Sequence, residues 1–173
     1  MKSMRCVRSN LAVALTAMLV GNLYAGEKIA GSATFSMASR VTLPVSSATA
    51  DHTLLQSSEL ASQLQLSGET LSGCSVERTT LCDMARGRGT CFGYQTMLSI
   101  EGDRLVTKYS GVILPDTGVD KKPTDLIIRG TWVVKDGTGK YLHYQGGGTY
   151  RGRFISDSEY TLEWSGEIAR RDN

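Results

Sequence analysis

Histidine is scarce: the chain of 173 residues holds two, His52 and His143. Neither lies in a cluster of Asp, Glu or Cys at ligand spacing, so no metal site and no cofactor is expected. A Gly-x-Ser-x-Gly elbow is missing, and with it the mark of a serine hydrolase. No window after residue 25 keeps helical periodicity over three turns; the nearest, Leu54 to Leu66, also reads as strand. There is no Asn-x-Ser/Thr sequon, which fits a bacterial envelope protein.

What is present begins with an export signal. Lys2, Arg5 and Arg8 precede an apolar run from Leu11 to Leu23, and Leu23-Tyr24-Ala25 supplies a cleavage site. That order predicts a secretory signal peptide over residues 1–25, because the run is shorter than the roughly 20 residues of a membrane span. Its removal leaves 26–173 as one domain without a membrane span, placed in the periplasm or secreted. The full chain has 19 basic and 17 acidic residues, and the signal carries three of the basic ones. The remainder is close to neutral, so nothing points to nucleic acid as a partner.

Three cysteines follow the signal: Cys74, Cys82 and Cys91. In an oxidising compartment they give one pair and one leftover thiol. A hairpin turning at Arg86-Gly87 sets Cys82 opposite Cys91, which makes that pair the expected disulfide; 74–91 is the alternative. Cys74 and Cys82 lie about 26 Å apart along one extended strand and cannot bond. No motif brings a histidine to Cys74, so a catalytic thiol is not expected.

Elsewhere the pattern has period two. Tyr160, Leu162, Trp164 and Ile168 share one face of the last strand, with Glu159, Thr161, Glu163, Ser165 and Glu167 on the other. Phe92, Tyr94, Thr96, Leu98 and Ile100 alternate likewise, a turn follows at Gly102-Asp103, and Leu105, Thr107, Tyr109 and Ile113 continue beyond it. Further strands are expected at 126–134 and 141–154, and at about 28–37, 52–58, 61–66 and 73–81. Pro115 to Pro123 reads as a polar loop.

Consecutive hairpins with one apolar face each allow a sandwich or a closed barrel. The chain reads as all-β, a closed antiparallel barrel of about eight strands with a calycin-like shape, since closure removes exposed edges. Gly146, Gly148 and Gly152 share a face with Tyr144, Tyr150 and Phe154, a pattern suited to a strongly curved strand with room for neighbouring rings. "KDGTGKY" is no phosphate loop: Lys140 is followed by Tyr141, and no helix follows. Asp136-Gly137-Thr138-Gly139 is expected to be a hairpin, with glycines at positive φ.

The set expected to face inward is Phe92, Tyr94, Trp132, Tyr144, Tyr150, Tyr160 and Trp164, the candidate lining of a ligand site. An eight-stranded barrel either fills its lumen with such side chains or holds one small ligand. Arg86 and Arg88 flank a glycine at a hairpin tip, and Arg151 and Arg153 are expected outside.

"RGTWVVKDGTGKYLHYQGGGTYRG", with a later strand ending "WSGEI", resembles the C-terminal half of allene oxide cyclase-like barrels, which are similar to plant dirigent proteins. Gly130, Trp132, Gly137, Thr138, Gly139, Lys140, Tyr141, Gly146, Gly148 and Tyr150 carry the resemblance, which covers about 89–168. It implies a small barrel whose relatives include cyclases of lipid-derived or polyketide-like substrates and proteins that steer phenoxy-radical coupling. No catalytic residue of the cyclases aligns here.

Three functional expectations follow. The first is an exported barrel that binds a small apolar or aromatic ligand in its lumen without catalysis. The second is a cofactor-free cyclase or isomerase, with Tyr94, Thr96, Thr107 or Tyr109 as polar groups inside. The third is an envelope interaction or inhibitor protein of immunity type, acting through loops 83–90 and 115–123.

Overall fold

A computed structural model describes residues 26–46, 51–117 and 125–171. The proposed signal segment lies outside them. Eight antiparallel strands follow one another in chain order and close into a barrel. They are β1 (Glu27–Pro44), β2 (His52–Ser67), β3 (Ser75–Ala85), β4 (Arg88–Leu98), β5 (Arg104–Pro115), β6 (Leu126–Gly137), β7 (Tyr144–Phe154) and β8 (Glu159–Arg170). Closure is made by β1 against β8, from Glu27 opposite Ile168 to Ser36 opposite Glu159.

The two stretches expected at 52–58 and 61–66 are one strand. Register shifts in the β1–β2 ladder, between Ser32 and Thr34 and between Met37 and Ser39, let this long hairpin bend without ending. Gln63 takes up the first shift at a φ of 49°. The β3–β4 hairpin turns at Arg86 and Gly87, both at positive φ, as the strand alternation requires.

Between β6 and β7 the expected four-residue hairpin is replaced. Asp136 and Gly137 belong to β6, a single 3-10 turn spans Gly139–Tyr141, and the chain reverses through His143. Gly139 has the positive φ, at 53°, while Gly137 does not. Gly137 is instead a close approach: a Cβ there would fall 2.2 Å from the Tyr141 carbonyl oxygen.

The barrel wall assigns every strand an inner face. In β5, Leu105, Thr107, Tyr109 and Ile113 are buried, as their alternation indicates. Their ladder partners in β4 are Met97, Gln95, Gly93 and Gly89. The inward face of β4 is therefore the opposite of the expected one, and Phe92 and Tyr94 point outward, 48% and 49% exposed. The physical reason is register: directly paired residues share a face, so β5 and the inward Cys91 fix β4 against its own apolar pattern. Thr96 and Ile100 go outward with them.

Cys82 and Cys91 are register partners with Cα atoms 4.1 Å apart, joined in a disulfide and both buried. Cys74 is a buried free thiol. The core is the lumen itself: Phe35, Tyr109, Trp132, Tyr150, Tyr160 and Trp164 fill its middle. Some glycines make room for these rings. A Cβ at Gly31 would lie 2.3 Å from the Trp164 ring, and one at Gly111 2.3 Å from the Tyr150 hydroxyl.

Candidate functional site

The lumen holds charge as well as rings. Glu59 on β2 and Arg78 on β3 are direct cross-strand partners, and both face inward with 2% and 3% exposure. Taking such a pair out of water costs several kcal/mol per ion unless hydrogen bonds satisfy it. The neighbouring strands supply them. Tyr160 on β8 accepts from Arg78 Nη1 at 3.1 Å and donates to Glu59 Oε2 at 3.0 Å. Thr80 donates to the same oxygen at 2.8 Å, and Ser57 donates to Oε1. The Tyr109 hydroxyl reaches both Thr80 and the Thr79 carbonyl.

Aromatic faces surround the guanidinium. Its Cζ lies 3.9 Å from the Tyr109 ring centroid, 5.1 Å from Phe35, 5.7 Å from Tyr160 and 5.8 Å from Tyr150. Ring quadrupoles attract a desolvated cation at such distances. Burial alone would lower the Arg78 pKa, but Tyr160, Tyr109 and Glu59 outweigh it and raise the value, so the residue stays charged. Burial pushes the Tyr160 and Tyr109 hydroxyls up, and Tyr150 up to about 12.

Beside this network is a cavity of about 10 Å³, walled by Arg78, Gln95, Trp132, Tyr150 and Trp164 among others. Four of its lining residues carry a buried polar atom without a protein partner: Arg78 Nε, Trp132 Nε1, Tyr150 Oη and Trp164 Nε1. Each such group costs about 1–3 kcal/mol when left unmatched.

The barrel's two ends differ. At one, the β2–β3 connection and the 3-10 turn meet across the lumen. Leu71 and Tyr141 are fully buried there, with the Tyr141 hydroxyl 3.1 Å from Cys74 Sγ and donating to the Thr70 carbonyl at 3.0 Å. At the other end Met37, Leu55, Met84, Leu126 and Phe154 pack on the core yet stay partly exposed. Below them Tyr160 stacks on Phe35 at 5.5 Å and meets Phe154 at 5.4 Å. A wider concavity of about 770 Å³ runs over the outside of β1, β2, β7 and β8. Its outward side chains are small and polar apart from Gln65 and the Arg151–Glu163 ion pair, so it offers few anchors.

Of the seven aromatic residues expected inside, Trp132, Tyr150, Tyr160 and Trp164 are buried in the lumen. Tyr144 is half-buried near the closed end, edge-on to Tyr141. Phe92 and Tyr94 are not part of the lining. Thr107 and Tyr109 are inside; Arg151 and Arg153 are outside. Sequence reasoning missed Phe35, Glu59, Arg78 and Thr80. The legible signal was the disulfide: once Cys82 faces inward, Thr80 and Arg78 must share that face. Loop 83–90 is present as a hairpin with Arg86 and Arg88 at or near its tip, and most of 115–123 lies outside the described residues. Among the described residues there is no group of three metal-ligating side chains and no helix long and apolar enough to cross a membrane.

No family model matches the chain, and no curated protein matches it. Among solved structures, a conserved protein of unknown function from Rhodopseudomonas palustris is similar in fold, with a TM-score of 0.50 and 10% identity over 83% of this chain and 97% of its own. That likeness, together with the closed eight-stranded ladder, places the chain among small antiparallel β-barrels.

Proposed function

We propose that the protein is an exported barrel that binds a small apolar or aromatic molecule at the open end of its lumen without catalysis. The carrying observation is the ring of partly exposed, inward-facing apolar side chains Met37, Leu55, Met84, Leu126 and Phe154 above an aromatic floor. A site with apolar walls and a few fixed polar groups is the usual form of a small-ligand pocket. Export to the periplasm or medium is supported by the basic-then-apolar N-terminus and by the disulfide, which suits an oxidising compartment.

The resemblance to allene oxide cyclase-like barrels supports the same architecture, and the cyclase or isomerase reading stands second. It is weaker because both oxygens of Glu59 already accept hydrogen bonds from Ser57, Thr80 and Tyr160, leaving little of the carboxylate to meet a substrate proton. Docking on a protein through Arg86 and Arg88 has an exposed hairpin tip in its favour and nothing further.

The test is displacement of a hydrophobic fluorescent dye from the purified protein by small aromatic compounds. Saturable, displaceable binding that falls about fivefold in Phe154→Ala is expected, the loss of one aromatic contact being worth about 1 kcal/mol. Dye binding that no compound displaces, or that Phe154→Ala leaves unchanged, rejects the open end as the site.

A further inference from the structure

The cavity beside Arg78 is lined by four residues, one each from β3, β6, β7 and β8, that carry the unmatched polar atoms. We propose that it is an internal binding site for one small monovalent anion of halide size, separate from whatever enters the open end.

The chemistry of the wall makes the choice. An indole N–H and a guanidinium Nε–H can only donate, so three of the four unmatched atoms ask for an acceptor. A water molecule accepts from them but must place two protons of its own, and an anion has none to place. The charged group in the wall is Arg78, while its partner Glu59 is not among the lining residues. Glu59 is occupied by Ser57, Thr80 and Tyr160, so Arg78 meets it through the Tyr160 hydroxyl and keeps Nε unmatched. The size is the remaining constraint: about 10 Å³ is the room of one water-sized particle, which excludes sulfate, phosphate and carboxylate-bearing metabolites.

The site carries its own reporter, because the protein's two tryptophans are Trp132 and Trp164 and both line the cavity. The experiment replaces sodium sulfate with sodium bromide at constant ionic strength and follows indole emission of the folded protein. Bound bromide quenches an adjacent indole to a plateau, and chloride, a poor quencher, shifts the midpoint by competition; that pair of results is expected. Quenching that rises linearly with bromide, or that chloride does not shift, overturns the proposal. Trp132→Phe keeps an aromatic ring but removes one donor, and is expected to raise the midpoint about tenfold, as for one hydrogen bond to a charged partner. An unchanged midpoint in a folded variant overturns it. Should that variant not fold, bromide-soaked crystals of the unaltered protein decide. An anomalous peak between the two indoles is expected, and a water in that position under the same soak overturns the site. Dye binding at the open end is measured in parallel, so either site can fail alone.

Discussion

One end of this barrel is closed by packing and the other is held by a covalent bond. At the closed end Leu71 and Tyr141 are fully buried and Cys74 joins them, so the connections themselves complete the core. At the opposite end, among the described residues, the apolar side chains of the rim stay partly exposed, and the wall below them carries the Cys82–Cys91 disulfide. The difference follows from what each end can bury. The rim side chains Met37, Leu55, Met84, Leu126 and Phe154 are only partly withdrawn from water, and a short-loop disulfide offsets the missing contacts by restricting the unfolded chain.

Truncating one aromatic residue at each end separates the two most widely. Tyr141→Ala is expected to cost about 3–5 kcal/mol, the usual loss for a large buried ring. Phe154→Ala is expected to cost about 1–2 kcal/mol, because its ring is only partly withdrawn from water. Urea denaturation measures both, and equal losses would show that the two ends are packed equally tightly.

Reducing the disulfide comes next. Replacing Cys82 and Cys91 together by Ala should lower stability by about 2–3 kcal/mol, the amount expected for a loop of this length. The same change at Cys74 alone tests packing at the closed end, and its effect should not depend on reductant. A Cys82/Cys91 variant as stable as the original protein would mean that the rim needs no staple.

Between the ends, Gly31→Val would drive a side chain into the Trp164 ring. Overpacking of this kind costs about 1–3 kcal/mol and should alter the near-ultraviolet dichroism of the indole. An unaltered spectrum would mean that Trp164 has room to move.

The smallest effect belongs to the outer surface of the closed end, where Lys140 reaches Glu101 at 3.0 Å. The hydrogen bond from Lys140, followed by one from Ser99, holds the Glu101 carboxyl down at about 2. A depressed carboxyl stabilises the fold above its unfolded pKa of about 4.3 and loses that contribution as pH falls through the folded value. The difference in melting temperature between the original protein and Lys140→Met should therefore fade between about pH 4.3 and pH 2. Because the pair is fully exposed, salt should shrink it at every pH. A difference that survives high salt would place the pair in a drier setting than its surface position indicates.

The pattern of the strands shows how much was legible. Tyr160-x-Leu162-x-Trp164 in β8 and Leu105-x-Thr107-x-Tyr109 in β5 declare their buried faces, with Thr161 and Glu163 on the outer side of β8 and Lys108 and Ser110 on that of β5, where Val106 is the exception. The β3–β4 hairpin and its disulfide were equally readable, because turn chemistry and symmetry fix a local register. Strand β4 misled for an instructive reason. Its inner face reads Gly89, Cys91, Gly93, Gln95, which is less apolar than its outer face of Phe92 and Tyr94. Glycine at position 93 leaves space for the Tyr109 hydroxyl, a demand made by β5 that no pattern within β4 can express. Glu59 and Arg78 were hidden in the same way: charged residues in alternating strands look solvent-facing until the register pairs them.

Local physics in the sequence therefore settled the class of structure: period-two strands, short turns and a hairpin disulfide, each decided by residues a few positions apart. Which face of β4 looks inward was decided only when the wall closed, because closure makes every strand share the register of its neighbours. The same closure placed Arg78 among four rings and brought four residues with unmatched polar atoms from separate strands to the lining of one small cavity. Charge buried in that way depends on partners scattered from Phe35 to Tyr160, so it exists only in the assembled barrel.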